Sequence, residues 1–140
     1  MKEKVLVSAC LLGVNCKYDG KNNYSEKIIE YLKDKEIIPI CPEQLGGLTT
    51  PRIPSEIRLD KVINKEGIDV TEYFNKGANE VLKLAKKLNI KKAVLKSKSP
   101  SCGLGKIYDG TFSNNLIDGN GICTELLIKN GIEVINSDEI

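Results

Sequence analysis

Cysteine is the residue type that points most directly to chemistry in this chain. The sequence contains five cysteines and no histidine, which removes imidazole bases, Ser-His and Cys-His pairs and histidine-ligated zinc sites. An odd number of cysteines in a chain without a recognisable secretion signal argues against a disulfide framework. The thiols are therefore core residues, nucleophiles or metal ligands.

Three of the cysteines follow apolar segments that predict buried strands. Cys10, Cys41 and Cys102 follow the strands predicted over 4–9, 36–40 and 92–96. Because the carboxyl ends of parallel strands meet at one edge of a sheet, these thiols are expected to converge. Three thiolates from separate loops suit a soft metal or an iron–sulfur cluster with one open coordination position. The alternative is that each small cysteine packs behind its strand.

The two remaining cysteines are assigned differently. Cys16 lies six residues after Cys10 and is a candidate fourth ligand or partner thiol for Cys10. Cys123 falls inside a predicted helix, where core packing is expected. Short Cys-x-x-Cys spacing, typical of structural zinc sites, does not occur.

Glu43 lies two positions after Cys41 in a proline-rich segment. A carboxylate beside a metal centre could act as a general acid or base. A helix cap, or an ion pair with Arg52 or Arg58, would explain the same residue equally well, and both interpretations stay open.

Hydroxyls, a lysine and free backbone N–H groups follow the third predicted strand, over 97–103. This composition suits the binding of an anion or a polarised heteroatom, with Lys98, Ser99 and Ser101 as its side chains. An ordinary serine-rich turn with capping hydroxyls is the alternative.

Two Tyr-Asp-Gly tripeptides, at 18–20 and 108–110, are typical of turns. A functional interpretation places their side chains at the rim of a pocket, where they could stack on or hydrogen-bond a planar ring. Tyr18, Tyr108 and Asp109 are accordingly candidates for substrate binding, together with Lys98.

The alternation of apolar strands with amphipathic helices predicts an α/β fold. We expect one three-layer domain over 1–140, with a mainly parallel, Rossmann-like sheet covered on both faces. Thr71 is the expected N-cap of the long helix. The remaining predicted elements are helices over 25–33 and 121–129, a strand over 131–136, a small hairpin within 56–70, and loops over 42–54 and 97–120.

Composition narrows the class of partner. The net charge of +2 is too small to indicate nucleic acid binding. No apolar run approaches the ~20 residues that span a bilayer, so we expect a cytoplasmic protein that does not bind a membrane. The sequence does not indicate an oligomeric state.

Several motifs together closely resemble those of the thiouracil desulfidase family, over nearly the whole chain. They are Ser8-Ala-Cys10-Leu-Leu-Gly13, Cys16-Lys-Tyr-Asp-Gly20, Cys41-Pro-Glu-Gln-Leu-Gly-Gly-Leu48, Pro51-Arg52, Ser99-Pro-Ser-Cys-Gly103 and Ile107-Tyr-Asp-Gly-Thr-Phe112. The resemblance implies an oxygen-sensitive [4Fe-4S] cluster held by three cysteines, with the fourth iron open to sulfur from the substrate. It also implies hydrolytic removal of sulfur from a thiolated pyrimidine, giving uracil and hydrogen sulfide.

The resemblance assigns roles to individual residues. It makes Cys10, Cys41 and Cys102 the cluster ligands, with Cys16 in reserve because that residue also lies in a family motif. It makes Glu43 the acid/base residue. Ser99 is the second catalytic residue that it implies, and Ser101 is the nearby rival.

The size of the substrate also follows from the resemblance. Longer relatives act on thiolated tRNA through a fused extra domain, for which this chain has no room. A free thiolated nucleobase or a small nucleoside is therefore the expected small-molecule substrate, and no nucleic acid partner is expected.

Two other functions compete with this interpretation. A non-enzymatic metal- or cluster-binding protein could use the same three thiols. A thiol-based phosphatase or arsenate reductase would need a Cys-x5-Arg loop to clamp its anion, and here Cys16 occupies the arginine position after Cys10.

Overall fold

A computed structural model describes residues 2–140 of the chain. Within that range there are eight β-strands and four α-helices, with two short 3-10 helices at Ala9–Leu12 and Ser137–Glu139. In chain order the strands and α-helices are β1 (Lys4–Ser8), α1 (Glu26–Tyr31), β2 (Glu36–Ile40), α2 (Pro42–Leu45), β3 (Ser55–Arg58), β4 (Lys61–Asn64), α3 (Thr71–Lys87), β5 (Lys92–Leu95), β6 (Lys106–Tyr108), β7 (Leu116–Asp118), α4 (Ile122–Lys129) and β8 (Glu133–Asn136).

Four of the strands form one parallel sheet in the order β2-β1-β5-β8. The two central strands are apolar except at their ends, at Lys4, Ser8 and Lys92, and Val5, Leu6 and Val7 of β1 have no exposed surface. Continuous apolar runs of this kind are expected where helices cover both faces of a parallel sheet. The predicted α/β fold with a mainly parallel sheet is confirmed.

Helices cover the sheet on both sides and produce three layers. On one face, α3 and α4 bury Val81, Ala85 and Leu127 against Leu6 and Leu95. On the other face, Ile28 and Leu32, in and just after α1, pack against Val5 and Val7. The sheet edge at the carboxyl ends of β1, β2 and β5 is consequently held between two cores.

The N-cap prediction for Thr71 is wrong. Thr71 is the first residue of α3, and Val70 occupies the cap position. The Thr71 hydroxyl instead accepts a hydrogen bond from the Val62 N–H at 2.9 Å, while Asp69 Oδ1 accepts the Thr71 N–H at 2.9 Å. The hydroxyl that would cap the helix is used to attach the β3–β4 hairpin to its start.

Two segments predicted as loops contain regular structure. The 42–54 segment begins with α2, where Pro42 takes the first helical position, at which a missing N–H costs nothing. The 97–120 segment contains the antiparallel β6–β7 pair. The hairpin predicted within 56–70 is present as β3 and β4.

Two glycines allow α2 to lie directly on α3. A Cβ atom at Gly77, inside α3, would lie 1.9 Å from the Pro42 carbonyl oxygen. A Cβ atom at Gly46 would lie 1.9 Å from the Tyr73 carbonyl oxygen. No other residue type allows backbones to approach so closely, and this contact sets the position of Glu43 above the sheet edge.

The longest helix, α3, has 17 residues. Across residues 2–140, none of the helices has both the length and the apolar character that a bilayer crossing requires.

Candidate active site

A cleft of about 590 Å³ opens at the carboxyl ends of β1, β2 and β5. Cys10 reaches it from the 3-10 helix that follows β1, and Cys41 from the junction between β2 and α2. Cys102 reaches it from the turn after β5. Because these strands are neighbours in the sheet, side chains separated by up to 92 residues share one cleft.

Cys16 lies among the other cleft thiols. Its thiol is within hydrogen-bond reach of the sulfur atoms of both Cys10 and Cys41, and the Cys41 thiol lies 3.8 Å from the Cys16 carbonyl oxygen. These contacts with two neighbouring sulfur atoms raise the pKa of Cys16 well above its usual value. This pKa shift favours the protonated form of Cys16, which places one S–H donor between the two neighbouring thiols.

The same contacts make two of the thiols acidic. The Cys16 thiol lowers the pKa of Cys10 to about 6, assisted by the Asn23 amide 3.4 Å from the Cys10 sulfur. The Cys16 thiol likewise lowers the pKa of Cys41 to about 7, and the positive charge of Arg52 contributes. Both effects outweigh the desolvation that opposes ionisation. Both shifts favour the thiolate forms of Cys10 and Cys41.

Cys102 behaves differently because it is fully enclosed. Burial raises its pKa to about 12, although two hydroxyls oppose the effect. Ser8 Oγ lies 3.5 Å from the Cys102 sulfur and Ser101 Oγ lies 3.6 Å from it. The nearby Cys10 thiolate also disfavours a second negative charge. A cation at this end of the cleft would reverse this balance.

Glu43 is held by contacts to both of its carboxylate oxygens. Arg52 donates from Nε to Oε1 at 3.0 Å, and the Ser101 hydroxyl donates to Oε2 at 3.0 Å. The Glu43 side chain is 15% exposed. The ion pair that the sequence allowed is therefore present, and it holds a carboxylate at the cleft wall.

Arg52 links three parts of the site. Besides its contact with Glu43, its Nη2 donates to the Cys16 carbonyl oxygen at 2.8 Å, and its Nη1 donates to Thr50 Oγ1 at 2.9 Å. The sequence suggested Arg52 only as a possible partner of Glu43. Its place in the Pro51-Arg52 motif was the sequence signal for these additional contacts.

The two serines of the 97–103 run have distinct contacts. Ser99 Oγ accepts the Cys102 N–H at 2.7 Å and lies 3.2 Å from Ser101 Oγ. Ser101 alone of the two contacts Glu43 directly. Ser99 therefore shapes the turn that carries Cys102, and Ser101 connects that turn to the carboxylate.

The predicted substrate-binding residues are only partly brought to the cleft. Tyr18, Lys98 and Tyr108 line it. Asp109 is not among its lining residues: the Asp109 Oδ1 accepts hydrogen bonds from the Thr111 N–H at 3.0 Å and from the Thr111 hydroxyl at 2.6 Å. These bonds lower the pKa of Asp109. Asp109 thus matches the turn interpretation of its tripeptide.

Several cleft residues were not identified from the sequence. Ser8, Asn23, Lys96, Phe112 and Asn114 all line the cleft. Ser8 is the last residue of β1, and this position at a strand end could have indicated a cleft residue. Nothing in the sequence indicated Asn23. Cys123 lies in the core shared by α3 and α4, where burial raises its pKa.

The described side chains of the cleft do not form a compact site for a single metal ion. Within residues 2–140, no three Cys, Asp or Glu side chains are spaced to hold a metal ion between them. The thiols are instead distributed along the cleft floor. A donor set of this kind is suited to a larger, sulfur-seeking centre in which each thiolate meets a different metal atom.

Comparison with known proteins agrees with this site. The chain is 42% identical to an uncharacterised protein, YbbK, of Bacillus subtilis (strain 168), over 97% of each sequence. The solved structure of the [4Fe-4S]-dependent thiouracil desulfidase TudS superposes with a TM-score of 0.92 at 41% identity, covering 99% of this chain and 93% of that one. The 2-thiouracil desulfurase family model matches residues 5–139. Since that match spans the sheet, the helices and every thiol of the cleft, the chain belongs to the 2-thiouracil desulfurase family.

Proposed function

We propose that this protein is a [4Fe-4S]-dependent desulfidase that hydrolyses the thiocarbonyl group of a small thiolated pyrimidine, such as 2-thiouracil. The products are uracil and hydrogen sulfide, and the reaction needs no net oxidation or reduction. The observation that carries the proposal is the shared cleft, in which soft sulfur ligands face a buried carboxylate with a bound hydroxyl. Neither half of this arrangement alone would suit the reaction.

The donor set fits the cluster. Cys10, Cys41 and Cys102 come from three adjacent strand ends, and cysteine thiolates are the usual ligands of [4Fe-4S] clusters. Cys10 and Cys41 have lowered pKa values, which favours metal ligation because the ligand is the thiolate. Hydroxyl and amide donors at the sulfur atoms of Cys102 and Cys10 would support the thiolate charges.

Three ligands rather than four are favoured by the position of Cys16 in the chain. Cys10, Cys41 and Cys102 each follow a different strand of the sheet, whereas Cys16 lies beyond the turn that carries Cys10, and its carbonyl oxygen is bound by Arg52. Bound by three cysteines, the cluster would supply an iron atom without a protein ligand, a Lewis acid for the thiocarbonyl sulfur.

Glu43 and Ser101 supply the proton chemistry. In our proposal, Glu43 Oε2 accepts a proton from the attacking water as the new C–O bond forms, and returns it to the leaving sulfur or ring nitrogen. Ser101 Oγ, at 3.0 Å from Oε2, fixes the direction of that oxygen. Ser99 holds the Cys102 turn and thereby the position of Ser101.

The network around Glu43 also separates this function from a cluster carrier. A carrier needs the thiols but has no use for a buried Glu43–Arg52 pair bonded to Ser101. Burying a charged pair is expensive unless its geometry is satisfied, so its presence beside the thiols favours catalysis.

The test is turnover by the anaerobically reconstituted protein. We expect uracil and sulfide to form from 2-thiouracil in equal amounts, with an electron paramagnetic resonance signal of a [4Fe-4S] cluster after reduction. Glu43→Gln should keep that signal and lower kcat by roughly 10²–10⁴-fold, the usual contribution of a general acid–base group. A cluster-loaded protein without uracil formation overturns the proposal, and a well-folded chain that binds no iron overturns it as well.

The same experiment tests the rival functions. A thiol-based phosphatase would hydrolyse a phosphate ester through Cys10 in the metal-free protein. A carrier would tolerate Glu43→Gln without any lost function. Our proposal also includes a single domain over 1–140, a free nucleobase as substrate and a cytoplasmic location.

A further inference from the structure

Aromatic side chains are concentrated in the cleft. The chain has five tyrosines, two phenylalanines and no tryptophan, and three of these seven rings line the cleft, namely Tyr18, Tyr108 and Phe112. Phe112 belongs to the loop over 109–115 that joins β6 to β7, here called the 109–115 loop. Asn114 of the same loop also lines the cleft, so this loop contributes one ring and one carboxamide.

A single carboxylate holds the 109–115 loop in place. Glu56 Oε1, on β3, accepts the Gly110 N–H at 3.0 Å and the Phe112 N–H at 3.1 Å. Gly110 has φ +92°, and a Cβ atom there would lie 2.6 Å from Arg58 Cβ. The loop is therefore packed tightly onto β3 and hydrogen-bonded to it at two successive points.

The backbone of the loop is strained at the residues that face the cleft. Phe112 and Asn114 have φ values of 55° and 62°, in the left-handed region that residues with side chains rarely adopt. Asparagine tolerates this conformation, whereas a bulky residue such as phenylalanine is uncommon there. Strain of this kind persists where the surroundings enforce it, and it is concentrated at binding sites.

We propose that Phe112 and Asn114 form the wall of the cleft that recognises the pyrimidine ring, and that Glu56 is the positioning residue of this wall. The inference rests on the proposed function, because a thiolated pyrimidine is flat and has N–H and C=O groups along its edge. The Phe112 ring stacks on the flat face. The Asn114 carboxamide, with one donor group and one acceptor oxygen, pairs with the edge.

The wall gives the site its preference for a ring over other thiocarbonyl compounds. The thiols and Glu43 act at the carbon–sulfur bond and the adjoining ring nitrogen. They do not recognise the rest of the ring. A stacking surface and a carboxamide in the same cleft add contacts to the flat face and the polar edge of a ring, which a small acyclic thiocarbonyl compound lacks. Substrate selection thus lies in the 109–115 loop, and the chemistry lies at the sheet edge.

The experiment measures ring binding separately from turnover. We would titrate uracil, the product, into the cluster-loaded protein by saturation-transfer NMR and determine KM and kcat for 2-thiouracil. Phe112→Leu and Asn114→Ala should each weaken uracil binding and raise KM by roughly 5- to 100-fold, as expected for loss of one stacking or edge contact. The kcat value and the cluster signal should change far less.

Matched variants separate recognition from structure. Phe112→Tyr keeps the ring and should retain near-normal uracil binding, and Glu56→Gln keeps an acceptor oxygen and should behave similarly. Glu56→Ala loses the acceptor and should weaken uracil binding as Phe112→Leu does. Unchanged uracil affinity and KM in Phe112→Leu and Asn114→Ala overturn this inference while leaving the proposed function intact. Uracil binding without turnover in the unaltered protein would instead refute the proposed function alone. Absence of uracil binding would refute the proposed recognition of the ring by Phe112 and Asn114.

Discussion

Arg52 and Glu43 form an ion pair at 3.0 Å in which the two side chains are only 7% and 15% exposed. The pair lies on the cleft wall, where Arg52 is also bonded to the Cys16 carbonyl oxygen. Arg52 is hydrogen-bonded to Oε1 of Glu43. The other carboxylate oxygen, Oε2, accepts the hydrogen bond from Ser101. One arginine thus orients the proposed acid/base group and attaches it to the segment that carries Cys16.

Arg52→Gln should lower both stability and activity. Removing one partner of a buried pair leaves an uncompensated charge, which costs about 3–5 kcal/mol, and frees Glu43 from its orientation. We expect a lower Tm and a kcat reduced by at least roughly 10-fold, since acid–base catalysis depends on geometry. Arg52→Lys keeps the charge without the fork of donors and should be intermediate.

Arg58→Gln is the matched control for this substitution. Arg58 is the only other arginine in the chain, lies on β3 and is exposed. The Arg58→Gln substitution should leave Tm and kcat close to those of the unaltered protein. If Arg52→Gln had the Tm and kcat of the unaltered protein, the Arg52–Glu43 ion pair would not be what orients the Glu43 carboxylate.

Substitution of each cysteine should separate ligands from the other thiols. Cys10→Ser, Cys41→Ser and Cys102→Ser replace a soft sulfur by a hard oxygen and should each remove most of the iron after anaerobic reconstitution. Cys16→Ser should retain the cluster, because the Cys16 thiol is a hydrogen-bond donor in our proposal. Iron and sulfide content and the resonance signal of the reduced protein are the measurements.

Cys123→Ala serves as the control in that series, since Cys123 shares a buried core with Cys102 but does not line the cleft. It should bind iron normally. If Cys16→Ser lost iron as completely as Cys41→Ser, Cys16 would be a ligand and the three-cysteine assignment would be incorrect.

The metal-free chain should have thiols of unequal reactivity. The pKa of Cys41 is about 7 and its main cause is the Cys16 thiol, so alkylation of the half-buried Cys41 should reach half its maximal rate near that pH. Cys16→Ala should move the midpoint upwards towards 9, the ordinary value. The rate of iodoacetamide modification, followed by peptide mass spectrometry under anaerobic conditions, gives both midpoints. An unchanged midpoint in Cys16→Ala would refute the assigned cause.

The same shifts set the pH dependence of metal-free stability. Lowered pKa values at Cys10 and Cys41 stabilise the folded state above about pH 9, and this contribution disappears as the pH falls through 7 and then 6. Cys102 has the opposite sign: its pKa is raised to about 12, so its contribution is present below pH 9 and disappears as the pH rises towards 12. The pKa values of Cys16 and Cys123 are raised as well, so urea unfolding of Cys102→Ala should show a smaller alkaline loss than the unaltered protein, and an alkaline loss of the original size would contradict the sign.

The sheet and its cysteines were predictable because the relevant information is local. Apolar runs end immediately before Cys10 and Cys41, and neighbouring parallel strands must end at one edge. Glu43, Ser99 and Ser101 stood out from the residues around them, and the resemblance to a known family assigned them specific roles. Contacts between distant segments were beyond reach, as with Arg52 and the Cys16 carbonyl oxygen, 36 residues apart.

The elements that were missed depend on tertiary packing. Helix α2 has four residues, too few to be stable by propensity, and exists because it lies on α3. The role of Phe112 depends on a left-handed backbone that Glu56 enforces from another hairpin. Neither feature leaves a periodic pattern in the sequence.

Gly77→Ala tests whether the contact between α2 and α3 positions Glu43, the proposed acid/base residue. In an isolated helix this change would stabilise by about 1 kcal/mol. Here the added Cβ would lie 1.9 Å from the Pro42 carbonyl oxygen, so α2 must move. Overpacking costs about 1–3 kcal/mol, and the displaced Glu43 should lose its bond to Ser101. We therefore expect a lower Tm and a lower kcat, measured on cluster-loaded protein. Asn75→Ala, on the exposed side of α3, raises helix propensity without a clash and should leave kcat unchanged. If Gly77→Ala behaved like Asn75→Ala, the close approach of the two helices would have no part in setting the geometry of the cleft.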